Sequence, residues 1–432
     1  MSGREQPLVP EGYQQTEIGF LPRSWSVCEL QDIAQVKGGK RLPKGKKLLN
    51  TSTNHPYIRV ADMFMGGVDL SDIRYVPDDV ASAIKNYRIS ATDLFISVAG
   101  TLGVVGRVPK ALDGANLTEN ADKITSIELN QDYLLFCLMS ERIQDDIASN
   151  STVGAQPKLA LGRIASFLIP IPETDREQAA IANALSDVDA LITSLEELIA
   201  KKRAMKTAAM QQLLTGKKRL PPFDQNPTGT KQTELGEIPE DWEVVPFFEK
   251  VGIAQGQVDP RHEPYKSMLL IGPKHVEAGT GKLTFTETAE AQGAISGKYH
   301  FQSGDVLYGK INPYLMKATL VDFEGLCSAD MYPLRPASGL SSGFLLAVIL
   351  GEKFTRYAIS VSARSGMPKI NRKELSEFQF VAPSDKQEQI AIAELLFDLD
   401  GELEKLEQRF AKTQQLKQGM MQELLTGRTR LV

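Results

Sequence analysis

The chain has 432 residues, more than one hydrophobic core usually organises, so two or more domains are expected. No apolar run approaches the ~20 residues that cross a bilayer, and the opening MSGREQPLVPEGYQQ lacks the apolar region of a secretory leader. Cys28, Cys137 and Cys327 lie far apart, and His55, His262, His275 and His300 form no ligand spacing. These counts argue against a disulfide framework or a zinc site and for a cytoplasmic protein with reduced thiols. A net charge of −5 argues mildly against a nucleic-acid binder, unless lysines and arginines cluster locally.

From Thr16 to about Leu168 the pattern reads as mixed α/β. The first cluster is KGGKRLPKGKK at 37–47, which holds no acid. Strand-like runs follow at 93–100 and 165–172, broken by Gly, Pro and Asp turns, and 133–149 has the apolar spacing of one buried-face helix.

Residues 175–214 contain neither Pro nor Gly, and apolar side chains recur at Ile181, Leu185, Val188, Ile192, Leu195 and Ile199, in steps of 4, 3, 4, 3, 4. This is a heptad seam, which keeps one stripe facing a partner helix. Thr174 with Glu177 offers a capping box, and Gly216 suits the left-handed position that ends a helix. A Pro-rich extended linker, 217–232, leads to a second α/β stretch from Thr233 to about Ala382, with a strand at 305–311 and a helix at 343–359. The closing helix repeats the seam at Ile392, Leu396, Leu399, Leu403, Leu406 and Phe410, with Ser384 and Gln387 at its start and Gly427 at its end.

The chain is therefore written twice. EQAAIANALSDVD at 177–189 returns as EQIAIAELLFDLD at 388–400, and MQQLLTGKKRL at 210–220 as MQELLTGRTRL at 421–431, both displaced by 211. Without a gap, 21 of the 48 residues at 173–220 match 384–431. Such a period is far longer than that of solenoid repeats. It describes a duplicated domain-plus-helix unit, α+β in class: two similar mixed α/β domains joined by two long helices of roughly 60 Å. The extended linker favours antiparallel pairing of the helices as a coiled coil, with an internal pseudo-two-fold. The expected boundaries are 1–172, helix 173–216, linker 217–232, 233–383 and helix 384–427.

Catalytic signatures fail one by one. GDVLYGKI at 304–311 lacks the Ser or Thr of a phosphate-binding loop. INPY at 311–314 and LPPF at 220–223 each miss a residue of the Asn-Pro-Pro-aromatic motif of amino-methyltransferases, and no glycine fingerprint accompanies them. GLSSG at 339–343 offers Ser341 as a nucleophile, but PLRPAS before it reads as a loop rather than the required buried strand. The expectation is a chain without chemistry of its own and without a metal site. On residues alone, a coiled-coil scaffold that binds only proteins and an enzyme with an unrecognised motif remain open.

The ordered motifs resemble one family, the specificity subunits of type I DNA restriction–modification systems. They are the TE-x-G-x-x-P-x-x-W openings at 16–25 and 233–242, QPK at 156–158 and MPK at 367–369, the apolar strands ending at Pro172 and Pro383, the E-Q-x-A-I-A starts at 177 and 388, and the LLTG endings at 213–216 and 424–427. The resemblance implies two target-recognition domains that read the halves of a bipartite, asymmetric double-stranded DNA sequence. It also implies two docked modification (methyltransferase) subunits, with restriction (translocase/nuclease) subunits joining them. S-adenosylmethionine, ATP and Mg would sit in those partners and no cofactor in this chain, and no membrane is involved.

For DNA contact, cationic side chains position phosphates, while arginine, amide and aromatic side chains meet base edges. The first domain then offers Lys37, Lys40, Arg41, Lys44, Lys46, Lys47, Arg59 and Lys158. The second has no basic run; it offers Gln255, Gln257, Arg261, Lys266, Lys310, Asn312, Tyr314, Lys317, Arg364 and Lys369.

Overall fold

A computed structural model of the chain describes residues 9–149, 158–225, 229–362 and 366–431. The chain divides into two compact units, Met1–Leu195 with Arg409–Val432, and Glu196–Gln408. Each unit holds one α/β domain and part of both long helices, Asp175–Leu213 and Lys386–Leu424.

In the first unit, four antiparallel strands lie in the order Val105–Arg107, Leu94–Ser97, Ala121–Thr125, Gln35–Gly38. Leu94–Ser97 is buried on both faces, which is why its sequence reads as a continuous apolar run rather than an alternation. A second sheet runs Arg74–Tyr75, Pro56–Ile58, Ala115–Leu117, Arg88–Ile89 and contains one parallel pair. The second unit repeats the first sheet as Ala318–Leu320, Val306–Gly309, Met331–Pro336, Val251–Ile253. Its smaller sheet keeps three strands, Leu270–Ile271, Gly325–Cys327 and Tyr299–Phe301.

Several local expectations are corrected. The stretch 133–149 is two helices, Gln131–Met139 and Glu141–Ser149, broken at Ser140 with ψ 147°. The stretch 343–359 likewise forms Ser342–Ile349 and Glu352–Ser362, parted at Leu350–Gly351. In both pairs the first helix is buried nearly all round and the second is amphipathic, so one apolar periodicity hides two packing roles. PLRPAS is loop only at Ala337–Ser338: its first four residues close the strand Met331–Pro336 of the main sheet. Residues 165–172 begin as the end of a short helix, Leu161–Ala165, and only Leu168–Ile171 is strand. Within 217–232 the second domain's first strand has already begun, at Thr230–Thr233.

At the helix starts, Thr174 Oγ accepts from Glu177 N at 3.2 Å. In the second helix the cap is Asp385, whose Oδ1 accepts from Gln387 N at 2.8 Å, and not Ser384. The capping-box role for Glu177 is also overturned, because its carboxylate is buried and taken by residues far away in sequence. Trp25 Nε1 donates to it at 3.2 Å, and the Arg430 guanidinium forks onto it, with Nη2 at 2.8 Å. Shifted by 211, the second unit repeats this clamp: Arg219 reaches Glu388 at 2.8 and 2.7 Å. Arg219 also engages Asp241 at 3.1 and 2.8 Å, where the first unit has Ser24 against Arg430. Burial of Trp242 leaves its indole N–H without a partner, so here Glu388 relies on Arg219.

The motif glutamines have a matching task. Gln178 Oε1 accepts from Asn130 N at 3.1 Å and Gln389 Oε1 from Ser341 N at 2.8 Å, each fastening the residue that caps its domain's buried helix. The helix ends meet the domain openings. Gly216 (φ +71°) and Gly427 (φ +65°) stand where a Cβ would lie 2.5 Å from Pro239 and 2.6 Å from Pro22, beside Trp242 and Trp25. Both the left-handed backbone and the close approach demand glycine. In each unit the helices run antiparallel, with Asp189 paired to Lys417 at 2.6 Å in the first and Lys206 to Asp400 at 2.5 Å in the second.

All twelve seam residues are buried or half-buried. Ile181 and Leu185 join the first domain's core, and Ile392 and Leu396 the second's, so the seam doubles as domain core at each helix start.

Asp122, buried on the strand Ala121–Thr125, has its carboxyl pushed up to about 6 by desolvation. An acid whose pKa rises on folding holds its proton more tightly when folded. Stability is thus highest below the ordinary value near 4 and falls as pH rises from about 4 to about 6. Asp122→Asn is expected to flatten this fall and to raise stability at neutral pH by up to about 3 kcal/mol. Melting temperatures of both proteins between pH 4 and pH 8 check it; parallel curves count against it.

Candidate nucleic-acid interface

Part of the basic run in the first domain is built into the sheet. Lys37 lies on the edge strand Gln35–Gly38, Gly39 N donates to Ala121 O at 3.0 Å, and Lys40 N donates to Leu117 O at 2.8 Å. Gly39 is obligatory, since a Cβ there would sit 1.9 Å from Thr118 O. Tyr57 Oη donates to Lys40 O at 3.0 Å, and the Lys40 ammonium lies 5.5 Å from the Tyr87 ring centroid. Lys37, Lys40, Arg41, Lys44, Lys46 and Lys47 are all exposed. Arg41 pairs with Glu119 at 2.6 Å and Lys46 with Asp79, surface pairs worth little and easily exchanged for phosphate. Arg59 differs: it is half-buried and committed to the buried Asp62 and to Asp72, a structural brace. The Arg59 guanidinium is pushed up chiefly by its bond to Asp62.

The second domain gathers a smaller cluster. Ile311 bridges Lys369, and Asn312 N donates to Pro368 O at 2.8 Å, so Lys310, Asn312, Tyr314 and Lys369 share one loop region. Asn312 (φ +50°) and Met316 (φ +47°) hold left-handed conformations on either side of Pro313–Leu315, and Tyr314 projects 58 % exposed from that turn. In the first domain the corresponding bridge is Ala99 with Lys158, and its turn carries Gly100 and Gly103 instead. Lys310 Nζ lies 4.9 Å from the Tyr332 ring centroid and the Arg372 guanidinium 5.9 Å from it. Arg372 was not a sequence candidate; only folding sets it beside Lys310.

The remaining candidates scatter. Gln255 and Gln257 are exposed, Arg261 is held by Asp259 at 2.6 Å, and Lys266 by Glu290 at 3.0 Å. The Asp259 carboxyl is lowered by its bonds to Arg261. Lys317 turns inward to Val276 O. Arg364 lies outside the described residues, as do Gln156 and Pro157.

The residues weighed for chemistry have structural tasks. Val306–Gly309 is a fully buried strand, and Ser341 caps the helix Ser342–Ile349, its Oγ accepting from Phe344 N at 3.4 Å. Among the described residues no group of three or more His, Cys, Asp or Glu could hold a metal ion. No described helix is long and apolar enough to cross a membrane. Sequence reasoning missed the clamps Arg219–Glu388 and Arg430–Glu177. Their signal was the arginine kept at a spacing of 211 after each LLTG.

The family model for the type I restriction modification DNA specificity domain matches residues 22–202 and 264–418. Over 428 residues the chain is 26% identical to the type I restriction enzyme EcoDI specificity subunit of Escherichia coli, covering 95% of this chain and 89% of that one. It is 24% identical to the MjaVIII specificity subunit of Methanocaldococcus jannaschii, covering 95% and 94%. Among solved structures, the S subunit from M. genitalium superposes with a TM-score of 0.56 at 16% identity, covering 93% of this chain and 96% of that one. A chain of another type I R-M system gives 0.52 at 15% identity, covering 94% and 99%. These two likenesses concern the fold.

Proposed function

The chain belongs to the type I restriction–modification DNA specificity family, and we propose that it reads a bipartite, asymmetric DNA target, one half-site per recognition domain. It docks two modification subunits on its helices and has no catalysis of its own. S-adenosylmethionine, and the ATP and Mg used by restriction subunits, are brought by those partners. One observation carries this reading: the two units share the strand order of their main sheets, their clamps and their helix ends, while the loops that carry the candidate contacts differ. A basic run stands on the first domain and a Tyr314-bearing turn on the second. A common frame with divergent loops suits two readers of different half-sites, just as paired readers on one scaffold match paired half-sites.

The test is a domain exchange. Replacing 233–383 with the corresponding domain of a relative is expected to change one half of the methylated sequence and leave the other half unaltered. Methylome sequencing of cells carrying either version reads this directly, and a swap that altered both halves together would falsify the two-reader mechanism.

A second expectation concerns the basic run. Neutralising Lys40, Arg41, Lys44 and Lys46 together should reduce the salt dependence of DNA binding by the assembled complex, by roughly 0.9 in log–log slope for each phosphate that is no longer neutralised. Gel-shift titrations across salt concentrations measure that slope; an unchanged value returns the run to an ordinary solvated surface.

A further inference from the structure

In the second domain a large apolar side chain is held out into solvent by a fixed loop. Ile295 is 77 % exposed, more than any other large apolar residue among those described. Singly exposed apolar residues are common; this one is set apart by how it is held and where. Both ends of its loop, 290–298, are bonded. At the start Gly293, in the left-handed region (φ +59°), donates to Glu290 O at 2.9 Å, and Ala294 N donates to Ala289 O at 3.0 Å. At the end the ammonium of the buried Lys298 turns back on Ser296, donating to its carbonyl at 2.6 Å and its hydroxyl at 2.7 Å. Burying an ammonium is unfavourable unless it is bonded in this way. The loop thus commits a lysine to a shape whose tip is a stiff, β-branched isoleucine.

The loop sits where the first domain carries its basic run. In the first unit residues 39–47 continue from the edge strand Gln35–Gly38; in the second, residues 254–258 continue from the matching edge strand Val251–Ile253. Val258 and Lys298 exchange backbone bonds at 2.9 and 3.1 Å. Gly297 lies so close to Gln257 that a Cβ there would come within 2.6 Å of its Oε1. The isoleucine therefore projects from a loop packed on the segment of Gln255 and Gln257, a place held by lysines in the first domain. Without a basic run, this surface works by contact rather than by neutralising phosphates. On the base edges of a duplex the apolar group is the C5 methyl of thymine. We infer that Ile295 is a specificity-determining residue of the second domain, packing on the C5 methyl of a thymine in the half-site that this domain reads. The inference rests on the function proposed above. Gln257, on the segment under the loop, carries the amide that suits the adenine of such a pair.

The experiment uses the full chain assembled with its modification subunits, and duplexes carrying the methylated sequence that methylome sequencing identifies. Deoxyuridine replaces each thymine in turn within the half-site that the domain exchange assigns to 233–383. At one position loss of the methyl is expected to weaken binding about fourfold, the worth of one buried methyl group. Ile295→Ala should bind the thymine duplex more weakly and should no longer distinguish thymine from uracil at that position. Ile295→Val, still branched, should keep the distinction. Because Ile295 is exposed, circular dichroism of both variants should match the wild type. The salt slope of binding should also stay unchanged, since no phosphate contact is lost. An Ile295→Ala complex that still favoured thymine at that position would overturn the inference. So would weaker binding by this variant with no wild-type preference for thymine over uracil anywhere in the half-site, the result for an isoleucine wedged between base pairs or seated on a partner subunit. A wild-type complex without sequence-dependent DNA binding would overturn the proposed function as well.

Discussion

Replacing Arg219 with alanine is expected to be among the most damaging single changes in the chain, and more damaging than Arg430→Ala. Arg219 makes four bonds, two to Glu388 and two to Asp241, and the Glu388 side chain is fully buried. Removing one partner of a buried pair strands the other charge, at about 3–5 kcal/mol. In the first unit Trp25 still donates to Glu177 when Arg430 is removed, whereas Trp242 offers Glu388 nothing. The retained bond should spare Arg430→Ala about 1 kcal/mol relative to Arg219→Ala. Adding Glu388→Gln to Arg219→Ala removes the stranded charge and should recover part of the loss. Urea denaturation of the three variants decides it, and an Arg430→Ala loss equal to or greater than that of Arg219→Ala would show that the indole bond does not matter.

Aspartate in the helix seam is expected to be costly according to depth. Leu185 is wholly inaccessible and Leu396 3 % exposed, while Val188 and Leu399 are half-buried. An unpaired carboxylate at Leu185 or Leu396 loses the leucine's burial, about 2–5 kcal/mol as in large-to-small changes, and adds the desolvation of a charge. At Val188 or Leu399 the carboxylate reaches water, so the same change should cost roughly half as much or less. Helix content and melting temperature of the four single variants give the order. If Val188→Asp and Leu399→Asp proved as damaging as the deeper pair, the seam would be tighter than its exposure indicates.

Both predictions also separate what could be read from the chain and what could not. The duplicated unit, the heptad stripe and the glycine ends were legible, because each rests on neighbouring residues: periodicity on the helix repeat, and Gly216 and Gly427 on backbone angles other residues resist. The candidate interface was legible only in part. Clustering of charge along 37–47 was visible, but which cations stay available was not: Arg59 looked like its neighbours until Asp62 and Asp72 claimed it, and Arg372 went unnoticed until it came beside Lys310 and Tyr332.

By itself, then, the sequence determined the repeat, the two helices, and the order of joints along each half. Tertiary structure alone decided what those joints do. Glu177 stands 253 residues from Arg430 and Glu388 169 from Arg219, and no local rule links them. An apolar run such as 133–149 carries the same periodicity whether it is one helix or two, and Ser140 breaks it because the helices on either side pack differently. Local pattern sets which backbone states are cheap for adjacent residues. The partner a buried charge finds depends on which distant segments the fold brings within hydrogen-bond reach, and desolvation makes that choice strict.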